Sequence, residues 1–244
     1  MARRLGNIRL VTFDLYDTLY TPRESVEKTY TAALQQHGIR VDLAKVQSGL
    51  AQAIKYMRQH YPNYGYGLMS SRAWWRQVID RTWAQIGVPH SHLDNQNKLL
   101  TARESLIDHF NTSAGYRMFD DVTPTLKYLQ RRGIRAGVVS NMDEAGEKVL
   151  CHLGVRSYFD FVLKSVTVGV QKPDSRIYEM ALRAVNVPAY DALHVGDSRR
   201  MDFEPAVKIG MHARLVCRGP EAADLAARYP DQYISSLLDL TKII

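Results

Sequence analysis

The sequence has few cysteines and no long apolar run, and both absences exclude classes of protein. Cys151 and Cys217 are its only cysteines, and they lack the close spacing of a metal site. Unpaired thiols are typical of a reduced intracellular compartment, and we expect both to be buried. The apolar part of the N-terminus spans about six residues and is interrupted by Arg9, which is too short for a signal peptide or a membrane span. The sequence therefore predicts an intracellular, cytoplasmic protein with no membrane partner, and the short basic N-terminus leaves a nuclear location open.

Long runs of like charge are also lacking. The 244 residues carry a net charge of +7 that is spread over scattered Lys and Arg residues. This pattern favours a solvated basic surface over a nucleic-acid partner, and it suits a small anionic substrate such as a phosphate ester. The hydrophobic content of 45% is typical of a globular chain that is long enough for one large domain or a core with an insert. No pattern in the sequence indicates an oligomeric state.

The predicted secondary structure changes along the chain. Ile8–Phe13 predicts a buried strand, and Thr21, Pro22 and Glu24 have the pattern of a helix start with Thr21 as N-cap. Apolar spacing predicts helices from there to about residue 111, around residues 43–58, 71–86 and 95–110. Helices then alternate with predicted strands at Ile134–Ser140, Phe159–Leu163, Ala192–Gly196 and Ala213–Cys217. We therefore predict an α/β, Rossmann-like core with a doubly wound parallel sheet, formed by residues 1–20 and 115–244, and a helical insert formed by residues 21–114.

Polar residues follow the ends of several predicted strands. Asp14 follows the first strand, Ser140 and Asn141 close the second, and Asp197 follows the fourth. Lys172 lies in a loop after the third strand. Each residue alone is typical of a turn or a helix start. Because ligands bind beyond the carboxyl ends of parallel strands, however, the combination predicts a site at one edge of the sheet.

These residues, in this order, resemble the four motifs of the haloacid dehalogenase superfamily of hydrolases. The motifs are matched by Asp14-Leu15-Tyr16-Asp17-Thr18, by Ser140, by Lys172 and by Gly196-Asp197-Ser198 with Asp202. The resemblance covers nearly the whole chain and implies that the helical insert is a cap domain. The stretches YPNYGYGLMSSRAWW, VVSNMD, FDFVL and GDSRRMDFEPAVKIGM indicate one subgroup of the superfamily, whose substrate is uncharacterised.

The resemblance implies covalent catalysis on a phosphorylated metabolite. Asp14 would attack phosphorus and form an aspartyl-phosphate, which water then hydrolyses. Ser140 would hydrogen-bond a phosphoryl oxygen with support from Asn141, and Thr18 would accompany the phosphate-binding turn. Lys172 would neutralise the charge that grows in the transition state.

The resemblance also implies a Mg²⁺ cofactor. Asp14 and Asp197 would supply carboxylate ligands, and Tyr16 would supply its backbone carbonyl. Asp202 would bind a metal-bound water or orient Lys172. The metal would reduce the repulsion between the anionic nucleophile and an anionic phosphate.

Position 16 departs from the phosphatase pattern. Phosphatases of this superfamily normally have a second aspartate there, which protonates the leaving alcohol, and the sequence has Tyr16 instead. Loss of a positioned general acid typically lowers a rate on the order of 10²–10⁴-fold. Asp17 could take over if the turn rotates it toward the site, whereas the plain interpretation of Asp17 is a turn residue. Tyr16 could itself act as a catalytic phenol that donates a proton, although it would be a poor base for the second step, whereas its plain interpretation is a packing residue under the cap.

Three functions remain open from the sequence. The first is a Mg²⁺-dependent phosphatase weakened by Tyr16. The second is a 2-haloacid dehalogenase, because such enzymes have tyrosine at this position and need neither metal nor a proton on the leaving group. Dehalogenases lack the Gly-Asp pair of the fourth motif, and the presence of Gly196-Asp197 in this sequence therefore argues for the phosphatase. The third is a non-catalytic protein that binds metal or metabolite.

The predicted cap contains candidates for substrate contacts. Arg72, flanked by aromatic residues, could bind a second anionic group of the substrate. Trp74, Val78 and Ile79 fall at helical spacing, which predicts that they pack in the core of the cap.

Overall fold

The computed structural model describes residues 5–88 and 93–244, except the side chains of residues 93–95. The basic residues at positions 3 and 4, on which the nuclear alternative depends, lie outside these ranges. The chain divides into two compact units. The sheet unit runs up to Thr21 and continues through Met118–Met142 and Leu150–Ile244, and the helical unit comprises Pro22–Arg117 and Asp143–Val149. We predicted that residues 115–244 belong to the core, whereas the short segment Asp143–Val149 within this range packs with the helical unit.

Strands of the described residues form two sheets. They are β1 (Leu10–Phe13), β2 (Tyr20–Pro22), β3 (Tyr116–Met118), β4 (Arg135–Ser140), β5 (Phe161–Lys164), β6 (Ala192–Gly196), β7 (His212–Val216) and β8 (Tyr233–Ile234). The larger sheet is parallel, with the order β5-β4-β1-β6-β7-β8, and β2 pairs with β3 in the smaller one. The predicted α/β, Rossmann-like fold is therefore confirmed, and β1 lies near the centre of the sheet.

Helices connect these strands and form the helical unit. They are α1 (Val26–Gln35), α2 (Leu43–His60), α3 (Pro62–Gly65), α4 (Ser71–Gln85), α5 (Leu93–Phe110), α6 (Val122–Arg131), α7 (Ala145–His152), α8 (Ser165–Val168), α9 (Arg176–Val185), α10 (Glu204–Lys208), α11 (Ala222–Arg228) and α12 (Leu240–Ile243). Within the described ranges, no helix combines the length and apolar character that a membrane crossing requires.

Each unit has its own apolar core. In the helical unit Trp74, Val78 and Ile79 are buried on one face of α4, which confirms the packing predicted from their spacing. In the sheet unit α9 buries Ile177 and Tyr178 against a cluster that includes Leu10 of β1. Side chains alternate along a strand, so Leu10 and Thr12 lie on the same face of β1.

Two predictions from the sequence are wrong. Residues 20–22 form β2, and α1 begins only after Ser25, because the hydroxyl of Thr21 donates to the Asp17 carboxylate (2.7 Å) and does not cap a helix. The cysteines are also not buried: Cys151 is exposed on α7 and Cys217 is half-buried just after β7. Both lie at the margins of elements, where an apolar thiol is not forced into the core.

Candidate active site

The site begins with the central strands β1 and β6. All four residues of β1 are buried, and the backbone N–H of Asp14 donates to the Val195 carbonyl (2.9 Å), so the pairing with β6 continues one residue past the strand. Thr12 and Asp14 point to the same side because side chains alternate along an extended chain. Thr12 lies in register with His194 of β6. Neighbouring strands thus bring polar side chains together at the carboxyl edge predicted from the sequence.

A buried lysine joins two carboxylates at this edge. Nζ of Lys172 lies 2.8 Å from Oδ1 of Asp14 and 2.6 Å from Oδ1 of Asp202. Burial alone would lower the pKa of Lys172, but the charges of Asp14 and Asp202 outweigh it and raise the pKa above its usual value. Lys172 therefore stays a cation beside the proposed nucleophile.

Asp202 is held by donors on several sides. Besides Lys172, the ring Nε2 of His194 lies 3.1 Å from Oδ1, and the backbone N–H of Ser198 donates to Oδ2 (3.0 Å). Burial would raise the pKa of Asp202, but Lys172 and His194 overcome that effect and hold it well below its usual range. Of the two roles that the sequence left open for Asp202, its contacts favour orientation of Lys172.

A glycine makes room for this carboxylate. A Cβ atom at Gly196 would lie 2.2 Å from Cγ of Asp202, closer than real Cβ contacts allow. The glycine of the fourth motif therefore has a steric reason: β6 must lack a side chain at position 196 because the Asp202 carboxylate occupies that space.

Three carboxylates fit a cation at this edge. Oxygen atoms of Asp14, Asp197 and Asp202 lie within 4.8 Å of one another. Desolvation of the Asp197 carboxyl, followed by the negative charges of Asp14 and Asp202, raises the pKa of Asp197 to about 7 although the residue is exposed. A bound cation would relieve this repulsion, and hard oxygen ligands suit Mg²⁺. Both oxygens of Asp202 already accept hydrogen bonds, whereas Asp14 contacts Lys172 through Oδ1. Asp14 and Asp197 therefore have the greater capacity to hold a metal, and the carbonyl of Tyr16 stays a predicted ligand.

The second motif supports the lysine loop. Ser140 is the buried last residue of β4. The side chain of Asn141 donates to the Lys172 carbonyl (2.8 Å) and accepts from the Lys172 N–H (2.7 Å), so both its polar atoms hold the backbone of the lysine. Phosphate binding by Ser140 and its support by Asn141 stay predictions.

The turn after β1 orients the remaining residues of the first motif. Asp17 has a left-handed backbone (φ 55°), its N–H donates to the Tyr20 carbonyl, and its carboxylate accepts from Thr21. These contacts favour the turn role for Asp17 over a general acid. Tyr16 is 44% exposed. Thr18 is buried, and its hydroxyl has no hydrogen-bond partner among the described residues.

Arg72 lies apart from these residues in sequence and belongs to the helical unit. Its guanidinium forms ion pairs with Glu104 (2.6 Å) and Asp108 (3.2 Å). Two carboxylates therefore already neutralise the charge that we expected to meet a substrate anion, and substrate binding by Arg72 stays a prediction.

Sequence reasoning missed two groups around the site. Thr12 and His194 are polar residues inside buried strands, a pattern that could have identified them. Arg218, which follows β7, donates to the Thr18 carbonyl (2.6 Å) and pairs with the buried Asp121 (2.7 Å). No motif spacing connects Arg218 to Thr18, because they are far apart in the chain.

Comparison with known proteins identifies the family. The chain is 36% identical over 229 residues to haloacid dehalogenase-like hydrolase domain-containing protein 3 of Mus musculus, covering 93% of this chain and 88% of that protein. It is 27% identical over 219 residues to the glyceraldehyde 3-phosphate phosphatase of Methanopyrus kandleri, covering 87% and 85%. The structure of a 2-haloacid dehalogenase from Pseudomonas syringae pv. Tomato DC3000 is similar with a TM-score of 0.65 at 28% identity, covering 97% of each chain. The family model that describes haloacid dehalogenase-like hydrolases matches residues 8–210, and the chain therefore belongs to this family.

Proposed function

We propose that the protein is a Mg²⁺-dependent phosphatase of a small phosphorylated metabolite. The observation that carries the proposal is the position of the Asp197 carboxylate beside those of Asp14 and Asp202. Without a cation, the pKa of Asp197 rises to about 7. A metal-free dehalogenase has no use for this acid, and its charge beside Asp14 would be unfavourable. The name of the related phosphatase from Methanopyrus kandleri also supports the proposal.

The residues of the site have distinct roles in this reaction. A carboxylate oxygen of Asp14 attacks phosphorus, the bond from phosphorus to the leaving oxygen breaks, and water then hydrolyses the aspartyl-phosphate. The ammonium of Lys172, 2.8 Å from Asp14, neutralises charge on the transferred group, and Ser140 donates to a phosphoryl oxygen. Bound Mg²⁺ would supply further positive charge between the nucleophile and the phosphate.

Tyr16 limits the first step. An alkyl leaving group departs as a strongly basic alkoxide and needs a proton, whereas an aryl leaving group departs readily without one. The exposed phenol of Tyr16 is a weak acid, and Asp17 is engaged in its turn. We therefore expect aryl phosphates to be hydrolysed much faster than alkyl phosphates.

The test is hydrolysis of p-nitrophenyl phosphate and of a panel of alkyl phosphates with Mg²⁺. Turnover should vanish in Asp14→Asn, whose thermal unfolding is measured to show that it is folded. Tyr16→Asp should raise the rate with alkyl phosphates, on the order of 10²-fold, while Tyr16→Phe should leave it near wild type. Absence of turnover on the whole panel, or turnover that survives Asp14→Asn, would contradict the proposal.

Dehalogenation is the second candidate because Tyr16 occupies the position of the usual acid and because a related structure is a 2-haloacid dehalogenase. In that reaction Asp14 would displace halide from carbon and water would hydrolyse the resulting ester, with no proton needed by the leaving group. Halide release from a 2-haloacid that continues in the presence of a chelator would favour this function. Binding of Mg²⁺ or phosphate without either reaction would instead indicate a non-catalytic protein.

A further inference from the structure

His194 is a fully buried histidine at the centre of the sheet unit. It lies on β6, between β1 and β7, and its side chain has no exposed surface. Both ring nitrogens have partners: Nδ1 lies 2.9 Å from Oγ1 of Thr12, and Nε2 lies 3.1 Å from Oδ1 of Asp202. A buried imidazole needs such partners, since an unsatisfied nitrogen would be unfavourable there.

The chemistry of the partners fixes the direction of the bond to Asp202. The lysine-bound carboxylate of Asp202 accepts hydrogen bonds and has no proton to give, so Nε2 of His194 must be the protonated nitrogen. With the proton on Nε2 of a neutral ring, Nδ1 is an acceptor and the hydroxyl of Thr12 donates to it. Asp202 thereby fixes the tautomer, and the hydroxyl of Thr12, which can donate or accept, helps to orient the ring.

The same carboxylate oxygen of Asp202 accepts hydrogen bonds from His194 and from Lys172. Oδ1 lies 3.1 Å from Nε2 of His194 and 2.6 Å from Nζ of Lys172, and Lys172 in turn contacts Asp14. If the imidazole donor is removed, the carboxylate can rotate about its remaining bonds and take the ammonium with it. His194 would thus affect the alignment of Lys172 on Asp14 indirectly, through its hydrogen bond to Asp202.

A tyrosine packs against this histidine from α9. The ring of Tyr178 meets His194 edge-on with centroids 4.9 Å apart, and its hydroxyl donates to the Met201 carbonyl (2.6 Å), next to Asp202 in the chain. Tyr178 and Thr12 therefore both restrict the orientation of the His194 ring.

We propose that His194 is a positioning residue, oriented by Thr12, that holds the Asp202 carboxylate so that the Lys172 ammonium stays aligned with Asp14. Its effect on rate rests on the proposed function, since Lys172 is taken to act in phosphate hydrolysis. The hydrogen-bond chain from Thr12 through His194 and Asp202 to Lys172 is independent of that function.

The experiment uses two matched pairs of variants. Thr12→Val removes the hydroxyl at nearly constant volume, and Thr12→Ser keeps it. His194→Leu removes the donor, and His194→Gln retains an N–H at the same distance along the side chain. With Mg²⁺ and p-nitrophenyl phosphate, Thr12→Val and His194→Leu should lower kcat about 10–100-fold with little change in KM, and Thr12→Ser and His194→Gln should recover most of it.

A second measurement does not require turnover. The buried ammonium of Lys172 should give a slowly exchanging N–H correlation in ¹⁵N NMR, assigned by its loss in Lys172→Arg. This signal should persist in Thr12→Ser and shift or broaden in Thr12→Val and His194→Leu. Thermal unfolding of each variant identifies any that fail to fold.

The outcomes are distinct. If Thr12→Val and His194→Leu lower the melting temperature but keep the kcat and the Lys172 signal of the wild type, the role is merely structural and the proposal is overturned. If the wild type hydrolyses no phosphate ester, the proposed function fails, and the Lys172 signal alone decides the positioning role.

Discussion

Two ion pairs in this protein have the same N–O separation, 2.6 Å, in very different surroundings. In the sheet unit Lys172 and Asp202 are almost fully buried, with side chains 2% and 1% exposed. In the helical unit Arg72 and Glu104 are 42% and 31% exposed. Water and dissolved ions weaken the attraction in the exposed Arg72–Glu104 pair. The buried Lys172–Asp202 pair is screened little, so its charges must be balanced by the protein groups around them. Equal distances thus correspond to unequal consequences when one partner is removed.

The largest effect should follow loss of the buried cation. Lys172→Met leaves Asp14 and Asp202 as buried carboxylates without their shared partner. The free energy of unfolding, measured with urea in the presence of a chelator, should fall by about 3–5 kcal/mol. The proposed phosphatase turnover, measured with Mg²⁺, should be lost as well.

The control for this change is Arg72→Met in the helical unit, which removes a cation with the same ion-pair distance. A similar loss of stability in both variants would show that burial does not distinguish the two pairs.

A smaller effect should follow from filling the space at Gly196. The added Cβ of Gly196→Ala would lie 2.2 Å from Cγ of Asp202, so the carboxylate that Lys172 contacts must shift. Unfolding by urea should show a loss of about 1–3 kcal/mol, the usual result of overpacking. Gly6→Ala is the matched control, since a Cβ there meets nothing within 4 Å. Wild-type stability and turnover in Gly196→Ala would mean that Asp202 can shift without consequence.

The buried pair also shows what the sequence could and could not predict. Asp14, Lys172 and Asp197 were identifiable because strand ends and loops carry polar residues in a recognisable order, and parallel strands bring those ends to one edge. The fold class followed from the alternation of strands and helices. These inferences use only local pattern and the general geometry of sheets.

The remaining parts depend on tertiary pairing. Thr12 and His194 meet only because β1 and β6 pair in one register, and a shift of one residue would separate them. The wrong prediction of a helix start at Thr21 has a similar cause. Thr21 has the pattern of an N-cap, but its hydroxyl donates to the carboxylate of Asp17, which lies in a left-handed turn. Local propensity could not show which partner the hydroxyl would find.

The exposed network should respond to acid. A hydrogen bond from Arg76, followed by one from Arg72, lowers the pKa of Glu104 from 4.5 to about 2. A depressed carboxyl pKa stabilises the folded state above the unfolded pKa, and this contribution is lost as the pH falls from about 4.5 toward 2. The difference in unfolding free energy between the wild type and Glu104→Gln should therefore be constant near neutral pH and shrink over that window. Because Glu104 is partly exposed, the difference should be no more than about 1 kcal/mol. Urea unfolding at pH 7, 4 and 3 measures it, and a difference that grows on acidification would have the wrong sign.

Salt should separate the two pairs most directly, although it gives the smallest effect. Arg72→Met should cost about 0.2–1 kcal/mol at low ionic strength, and this cost should disappear near about 1 M salt, where exposed charges are screened within a few ångströms. The cost of Lys172→Met should be nearly independent of salt, since Lys172, Asp14 and Asp202 are buried and buried charges are screened much less. Unfolding of both variants and the wild type in urea at two salt concentrations gives the comparison. An equal salt dependence for the two would imply that solvent reaches Lys172, and the argument for an aligned, buried ammonium beside Asp14 would then fail.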